Sequence, residues 1–169
     1  AVDSGNLAAC LLLCANAVRD AFLAQRMRDL CADMELERLY DADRKLFFIG
    51  ADAENGRVSA SHYDLFASES RILSYTAIML GKAPVRHWQA LSRPTASIGG
   101  ECAALSWSGT MFEYLMPDLF LNAPAHSLSG QSSRTAIRAQ LRFARRNHRP
   151  MGISESGCHT FDLHMNYQY

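Results

Sequence analysis

Apolar residues dominate the amino-terminal part of the chain and are interrupted by scattered polar ones. Residues 6–36 are rich in Ala, Leu, Met and Arg and contain neither proline nor glycine. These residue types favour helix. The stretch therefore predicts one long helix, or two helices joined by a tight break.

A short β structure is predicted next along the chain. The apolar run at residues 45–49 and the run at residues 57–59 flank Asn55 and Gly56. Asn-Gly is the strongest short-range signal for a tight hairpin turn. We therefore expect one small β-hairpin here.

Another helix is predicted to begin at Ser61, because Asp64 follows three residues later as in a capping box. It should run to about Leu80 and stop before Gly81 and Pro84. On this helix Asp64 is expected to act as a capping residue rather than as a catalytic residue.

The carboxyl-terminal half is also predicted to be mainly helical. One helix is expected over residues 110–121, where Pro117 either kinks the helix or starts its second half. A long helix is expected over residues 129–147, and the chain after Pro150 is predicted to be loop. No repeat or linker is visible, so residues 1–169 predict a single, mainly α domain.

The composition limits the classes of partner. Lys and Arg together number 17, as do Asp and Glu, so the formal net charge is zero and neither nucleic acid nor an anionic membrane is indicated. The five cysteines are odd in number and form no Cys-x-x-Cys, which favours reduced thiols and a cytosolic environment. The apolar run at residues 7–15 is too short to cross a bilayer.

Glu69 is a carboxylate in an unusual place. On the predicted helix it lies on the same face as Leu65, Ile72, Leu73, Thr76 and Leu80. Burying an ionised carboxylate is costly unless the group is paired or has a task. Two alternatives follow: a structural carboxylate paired with an arginine, or a carboxyl group that serves as a general acid.

Glu155 lies in a predicted loop between Gly152 and Gly157. The glycines allow the backbone to approach a ligand closely, and the flanking serines leave space beside the carboxylate. The alternative is an ordinary surface glutamate. Together with Glu69 it suggests sugar chemistry carried out by a pair of carboxylates.

Aromatic and polar residues alternate between these two glutamates, over residues 105–117. Trp107 and Tyr114 offer flat faces on which sugar rings stack, although a buried aromatic role is the common alternative. Glu113 is suited either to bind a sugar hydroxyl or to hold its neighbours in place.

Two other groups of residues are weaker candidates. Arginines recur at helical spacing within residues 134–149, which is typical of a solvated helix face. Four potential metal ligands near the carboxyl terminus match no standard zinc spacing, so we predict neither a metal ion nor a cofactor. They are Cys158, His159, Asp162 and His164.

Four motifs, in order along the chain, resemble the central glucoamylase-like domain of cyclic β-1,2-glucan synthases. They are YDLFASESR at residues 63–71, SWSGTMFEYLMP at 106–117, GISES at 152–156 and DLH at 162–164. A fifth stretch, VDSGNLA at residues 2–8, is similar to an earlier motif of the same domain.

The resemblance implies a partial (α/α) toroid and a retaining transglycosylase that cyclises linear β-1,2-glucan. By the same resemblance Glu155 is the nucleophile and Glu69 the general acid/base. Hydrolysis of β-1,2-glucan, or a non-catalytic glucan-binding or assembly domain, are the alternatives. The residues expected to shape the glucan site are Tyr63, Asp64, Trp107, Glu113, Tyr114 and His164.

The chain also departs from the family. The stretch between Ala8 and Arg28 looks shortened, and a complete toroid needs more helices than 169 residues supply. We therefore expect a fragment or shortened form, which self-associates or uses partner domains to complete the toroid. Family members are anchored in the inner membrane with this domain in the cytoplasm, so a cytoplasmic location is implied.

Overall fold

Two helices form the amino-terminal part of the chain in the computed structural model, which describes residues 1–52, 54–154 and 163. They are α1 (Val2–Ala17) and α2 (Ala21–Asp33). The carboxylate of Asp20 accepts a hydrogen bond of 3.0 Å from the N–H of Leu23 and so caps α2. The alternative of two helices joined by a tight break is therefore confirmed.

The remaining elements are short, apart from the last helix. The other helices are α3 (Arg71–Met79), α4 (Arg86–Ala90), α5 (Met111–Leu115) and α6 (Leu128–Asn147), with 3-10 turns at Leu36–Leu39 and Pro117–Leu119. The strands are β1 (Tyr40–Asp41), β2 (Leu46–Phe48), β3 (Ala51–Asp52), β4 (Arg57–Val58), β5 (His62–Tyr63), β6 (Thr95–Ile98) and β7 (Glu101–Ala104). The described chain is thus mainly α, with small antiparallel sheets. None of its helices is long and apolar enough to span a bilayer.

A three-stranded antiparallel sheet in the order β1-β2-β5 lies before α3. Its central residue is the fully buried Phe47, which is opposite Tyr40 on one side and Tyr63 on the other. The predicted hairpin does form around Gly56, which has φ +64°. Its strands are β3 and β4, however, so the prediction that residues 45–49 form its first strand is wrong. The apolar β2 is drawn into the core sheet instead.

The predicted helix start at Ser61 is also wrong. His62–Tyr63 forms strand β5, and α3 begins only at Arg71. The hydroxyl of Ser68 accepts a hydrogen bond of 3.2 Å from the N–H of Ser70, a local turn that competes with helix. Glu69 therefore lies in the turn before α3 rather than on a helix face. Asp64 caps no helix, and its carbonyl accepts a hydrogen bond from the N–H of Ser92.

The helices of the carboxyl-terminal half match the prediction more closely. α6 confirms the helix expected over residues 129–147. α5 ends at Leu115, and Pro117 starts a separate 3-10 turn, so the second of the two alternatives for this proline is the observed one. α6 packs on strand β7, where the hydroxyl of Ser132 accepts a hydrogen bond of 2.9 Å from the N–H of Ala104.

Two apolar clusters support the fold. The first contains Leu36, Phe47, Leu73, Ala77 and Ala83, and joins the 3-10 turn after α2 to the three-stranded sheet and α3. The second contains Ala67, Ala104, Met111, Tyr114 and Ala136, and joins α5, α6 and β7. Because Ala67 and Leu73 flank the turn that contains Glu69, this turn is held between the two clusters.

His87 links the three-stranded sheet to α3. It is fully buried, and its Nδ1 donates a hydrogen bond of 2.8 Å to the carbonyl of Lys45 in the β1–β2 turn. Its Nε2 then accepts a hydrogen bond of 2.8 Å from the hydroxyl of Ser74 on α3. Burial lowers the pKa of His87, against the opposing effect of the Lys45 carbonyl, so the neutral ring is favoured. The imidazole ring therefore fixes strands β1 and β2 relative to α3. Strand β2 pairs with β5, which contains Tyr63, and α3 follows Glu69 in the sequence.

Helix α1 crosses α3 closely at Gly5. A Cβ atom at this position would lie 2.5 Å from the Cα and Cβ atoms of Leu73. We expect Gly5→Ala to lower the free energy of unfolding by about 1–3 kcal/mol, because overpacking outweighs the better helix propensity of alanine. Urea unfolding measures the change. Gly50→Ala is the matched control, since nothing lies within 4 Å of a Cβ there, and a Gly5 variant as stable as this control would contradict the close crossing.

Candidate functional site

An open cleft lies where the turn before α3 meets the loop before α5. Its volume is about 150 Å³. The residues that line it are Ile49, Tyr63, Ser68, Glu69, Trp107, Ser108 and Glu113. Four of the residues predicted from the sequence, namely Tyr63, Glu69, Trp107 and Glu113, are therefore brought together in one place.

Glu69 is partly buried at this cleft, and Ser68 holds its carboxylate. The buried hydroxyl of Ser68 donates a hydrogen bond of 3.0 Å to Oε2 of Glu69. Within residues 1–52, 54–154 and 163, no Lys, Arg or His nitrogen lies within 4 Å of this carboxylate. The alternative of an arginine-paired structural carboxylate thus has no support from the part of the chain that is described.

Arg71, the nearest arginine in sequence, lines a different cavity. Its guanidinium donates a hydrogen bond of 3.2 Å to the carbonyl of Tyr114 and lies 3.9 Å from a carboxylate oxygen of Asp118. Burial lowers the pKa of Arg71, and Asp118 opposes this shift. Arg71 therefore ties the start of α3 to α5 and leaves Glu69 facing the cleft.

Glu113 is the most heavily hydrogen-bonded carboxylate in the described chain. It is 3% exposed and accepts hydrogen bonds from the backbone N–H groups of Trp107, Ser108 and Thr110. The hydroxyls of Ser106, Ser108 and Thr110 also donate to it. Burial alone would raise the pKa of Glu113, but the hydrogen bonds from Ser108 and Thr110 outweigh it and the pKa is lowered. The carboxylate is therefore stabilised in its ionised form.

These bonds fix the backbone of residues 106–110, which we call the Trp107 loop. Within it Gly109, with φ +76°, donates a hydrogen bond of 2.9 Å to the hydroxyl of Ser106. The indole of Trp107 remains 63% exposed beside the cleft. A rigid loop that presents an exposed aromatic face is suited to stacking against a sugar ring.

Tyr114 and Asp64 are not among the residues that line the cleft. The hydroxyl of Tyr114 is buried, donates 2.7 Å to the carbonyl of Ala104 and accepts a hydrogen bond from the N–H of Ser106. It supports the Trp107 loop from behind. Oδ1 of Asp64 is buried and has no hydrogen-bond partner in the described structure. A direct contact of either residue with glucan stays a prediction.

Glu155 and His164 lie outside the described residues, as do Cys158, His159 and Asp162. The residues that precede Glu155 in the sequence are described as far as Ser154. Ile153 accepts a hydrogen bond of 2.9 Å from the N–H of Met111, at the start of α5. The described chain is thus held at Ile153, two residues before Glu155 in the sequence.

The fold and the cleft define a mainly helical domain with a carboxylate and an exposed tryptophan at one site. No protein-family model matches the chain. The chain is 37% identical over 147 residues, 87% of its length, to the cyclic beta-(1,2)-glucan synthase NdvB of Rhizobium meliloti (strain 1021). The resemblance to cyclic β-1,2-glucan synthases that was drawn from the motifs is therefore confirmed. The chain spans 5% of the length of that relative.

Proposed function

We propose that this chain carries the cleft of a retaining transglycosylase that cyclises linear β-1,2-glucan. The observation that carries the proposal is that Glu69, Tyr63 and Trp107 line the same cleft. Within the described chain, the Glu69 carboxylate forms no ion pair with a Lys, Arg or His side chain, and Arg71 faces Asp118 instead. The similarity to a cyclic beta-(1,2)-glucan synthase supports this choice of substrate.

In the proposed reaction, the Glu155 carboxylate attacks the anomeric carbon of a glucose unit. The glycosidic C–O bond breaks as the Glu69 carboxyl group protonates the leaving oxygen, which leaves a glycosyl-enzyme ester on Glu155. The 2-hydroxyl at the other end of the same glucan chain then attacks the anomeric carbon, and the bond from this carbon to Glu155 breaks to release the Glu155 carboxylate. Glu69, now a carboxylate, takes the proton of that hydroxyl. One glycosidic bond is broken and one is formed, so no water is consumed.

Hydrolysis is the second candidate, and the exposure of the cleft favours it. Trp107 is 63% exposed, so solvent reaches the site from this side. Water that reaches the glycosyl-enzyme would compete with the sugar hydroxyl and release a linear product. The competition between water and hydroxyl therefore decides between the two enzymatic functions.

The proposed function also implies a particular architecture, the (α/α) toroid. Helices α1 and α2 run antiparallel, as shown by contacts from Arg28 to Ala15 and from Cys31 to Ala8. Such helical hairpins are the units of an (α/α) toroid, and we infer that this chain is part of one. Self-association or partner domains would supply further helices, and the location would be the cytoplasm.

Mass spectrometry of products from purified chain and linear β-1,2-glucan tests the function. Products lighter by one water than the matching linear oligomers would establish cyclisation. Shorter linear products would establish hydrolysis. Unchanged substrate from folded chain would refute both enzymatic functions, and calorimetric titration with the same glucan would then test for a binding domain. Linear β-1,3-glucan of matched length is the control substrate.

A further inference from the structure

Within the described part of the chain, the buried amide group of Gln140 forms hydrogen bonds only to main-chain atoms of two other segments. Gln140 lies on α6 and is 8% exposed. Its Oε1 accepts a hydrogen bond of 2.7 Å from the N–H of Ile153. Its Nε2 donates 2.9 Å to the carbonyl of Ile153 and 3.2 Å to the carbonyl of Gly109.

The amide has one favourable orientation in this place. With the oxygen and nitrogen exchanged, the NH₂ group would face the N–H of Ile153 and the oxygen would face two carbonyls. All three bonds would then be lost. A side chain with both an acceptor and two donors is required, and among the uncharged side chains of this length only glutamine provides it.

Of the two segments that Gln140 joins, one belongs to the candidate site and the other precedes Glu155 in the sequence. Gly109 is part of the Trp107 loop, and Ser108 beside it lines the cleft. Ile153 lies in the segment of residues 152–154, which leads directly to Glu155. The N–H of Met111 donates to the same Ile153 carbonyl, so this residue is held from α5 and from α6.

We propose that Gln140 is a positioning residue that sets the segment of residues 152–154, the last described residues before Glu155 in the sequence, against the Trp107 loop. The inference rests on the proposed function. It differs from that function because it concerns a residue that touches neither glucan nor the reacting atoms.

Gln140→Leu is the first test, because it removes the polar atoms of the side chain and leaves an apolar side chain only one bond shorter. We expect amide hydrogen exchange at Ile153 to become about tenfold faster or more. We also expect kcat on linear β-1,2-glucan to fall about tenfold or more while KM changes little, because misplaced catalytic groups slow the chemical step. Gln131→Leu is the matched control, since Gln131 lies exposed on the same helix.

Gln140→Glu is the second test, because it puts an ionisable group at the same atoms. As a carboxylate it repels the carbonyls of Gly109 and Ile153, whereas in its protonated form it can donate to one of them. We therefore expect the defect in kcat, expressed relative to Gln131→Glu at each pH, to diminish as the pH falls. A merely structural loss of packing would give a defect that is independent of pH.

The possible results distinguish a failure of the positioning role of Gln140 from a failure of the proposed transglycosylase function. If wild-type chain turns over glucan and Gln140→Leu keeps its kcat, the positioning role is overturned even if exchange at Ile153 accelerates. Unchanged exchange at Ile153 in that variant overturns it as well. If folded wild-type chain does not turn over glucan, the proposed function fails and this inference fails with it.

Discussion

Replacing Glu69 by glutamine is expected to lower the turnover of linear β-1,2-glucan by about 10²- to 10⁴-fold, the range typical of a lost general acid. The amide has the shape of the carboxyl group, and its oxygen can still accept the hydrogen bond that Ser68 donates. The turn before α3 should therefore keep its structure. The amide cannot protonate a leaving oxygen or take a proton from an acceptor hydroxyl.

The measurement is the initial rate of product formation, with binding of the same glucan followed in parallel. Unchanged affinity together with lost turnover would assign Glu69 to the chemical step. Glu54→Gln is the control, because Glu54 is exposed on the β3–β4 turn, away from the cleft. A Glu69→Gln variant that turns over at the wild-type rate would show that this glutamate is not the acid/base group.

Replacing Glu113 by alanine is expected to be the most destabilising of these substitutions. It leaves the backbone N–H groups of Trp107, Ser108 and Thr110 without their shared acceptor. Hydrogen bonds to a buried charged group contribute about 1.5–3 kcal/mol each, and they are not additive. We expect the free energy of unfolding to fall by about 3 kcal/mol or more, which urea unfolding at pH 7 would measure.

Glu35→Ala is the matched control for this measurement. The Glu35 side chain is 59% exposed, and its ion pair with Arg38 should contribute less than about 1 kcal/mol. If the two variants are equally stable, the hydrogen-bonded network around Glu113 does not hold the Trp107 loop in solution.

The pH dependence of the unfolding free energies of wild type and Glu113→Ala gives an independent check. The folded-state pKa of Glu113 is lowered, so the unfolded chain binds its proton first as the pH falls. The stabilising contribution of Glu113 is therefore fully present above the ordinary glutamate pKa, and it is lost as the pH falls through the folded-state value. The difference in unfolding free energy between wild type and Glu113→Ala should shrink in that acidic window.

The helices predicted from the sequence match the structure where the local sequence signals and the tertiary packing favour the same element. α6 has a clear helical pattern, and α5 begins with a capping box formed by Thr110 and Glu113. The helix predicted from Ser61 failed because pairing of β5 with β2, between residues distant in sequence, outweighs a local capping signal. The turn at Ser68 reinforces this outcome.

For the candidate site, the motifs identified residue types but not their surroundings. Glu69 and Trp107 could be selected from sequence, whereas the assignment of Glu113 to the Trp107 loop required the positions of six donor groups. Gln140 gives no signal at all, because its partners are main-chain atoms of Ile153 and Gly109 in irregular segments. Such contacts do not depend on the identity of the partner side chains.

The network around Glu113 has a consequence for how tightly a sugar could be held. Because the main-chain N–H groups of the Trp107 loop are already satisfied, a ligand that stacks on Trp107 need not order this backbone. The loss of chain entropy occurs when the protein folds rather than when the ligand binds. Affinity at this cleft would then be governed by the desolvation of the indole and the sugar face, and a negative change in heat capacity on binding would be its thermodynamic signature.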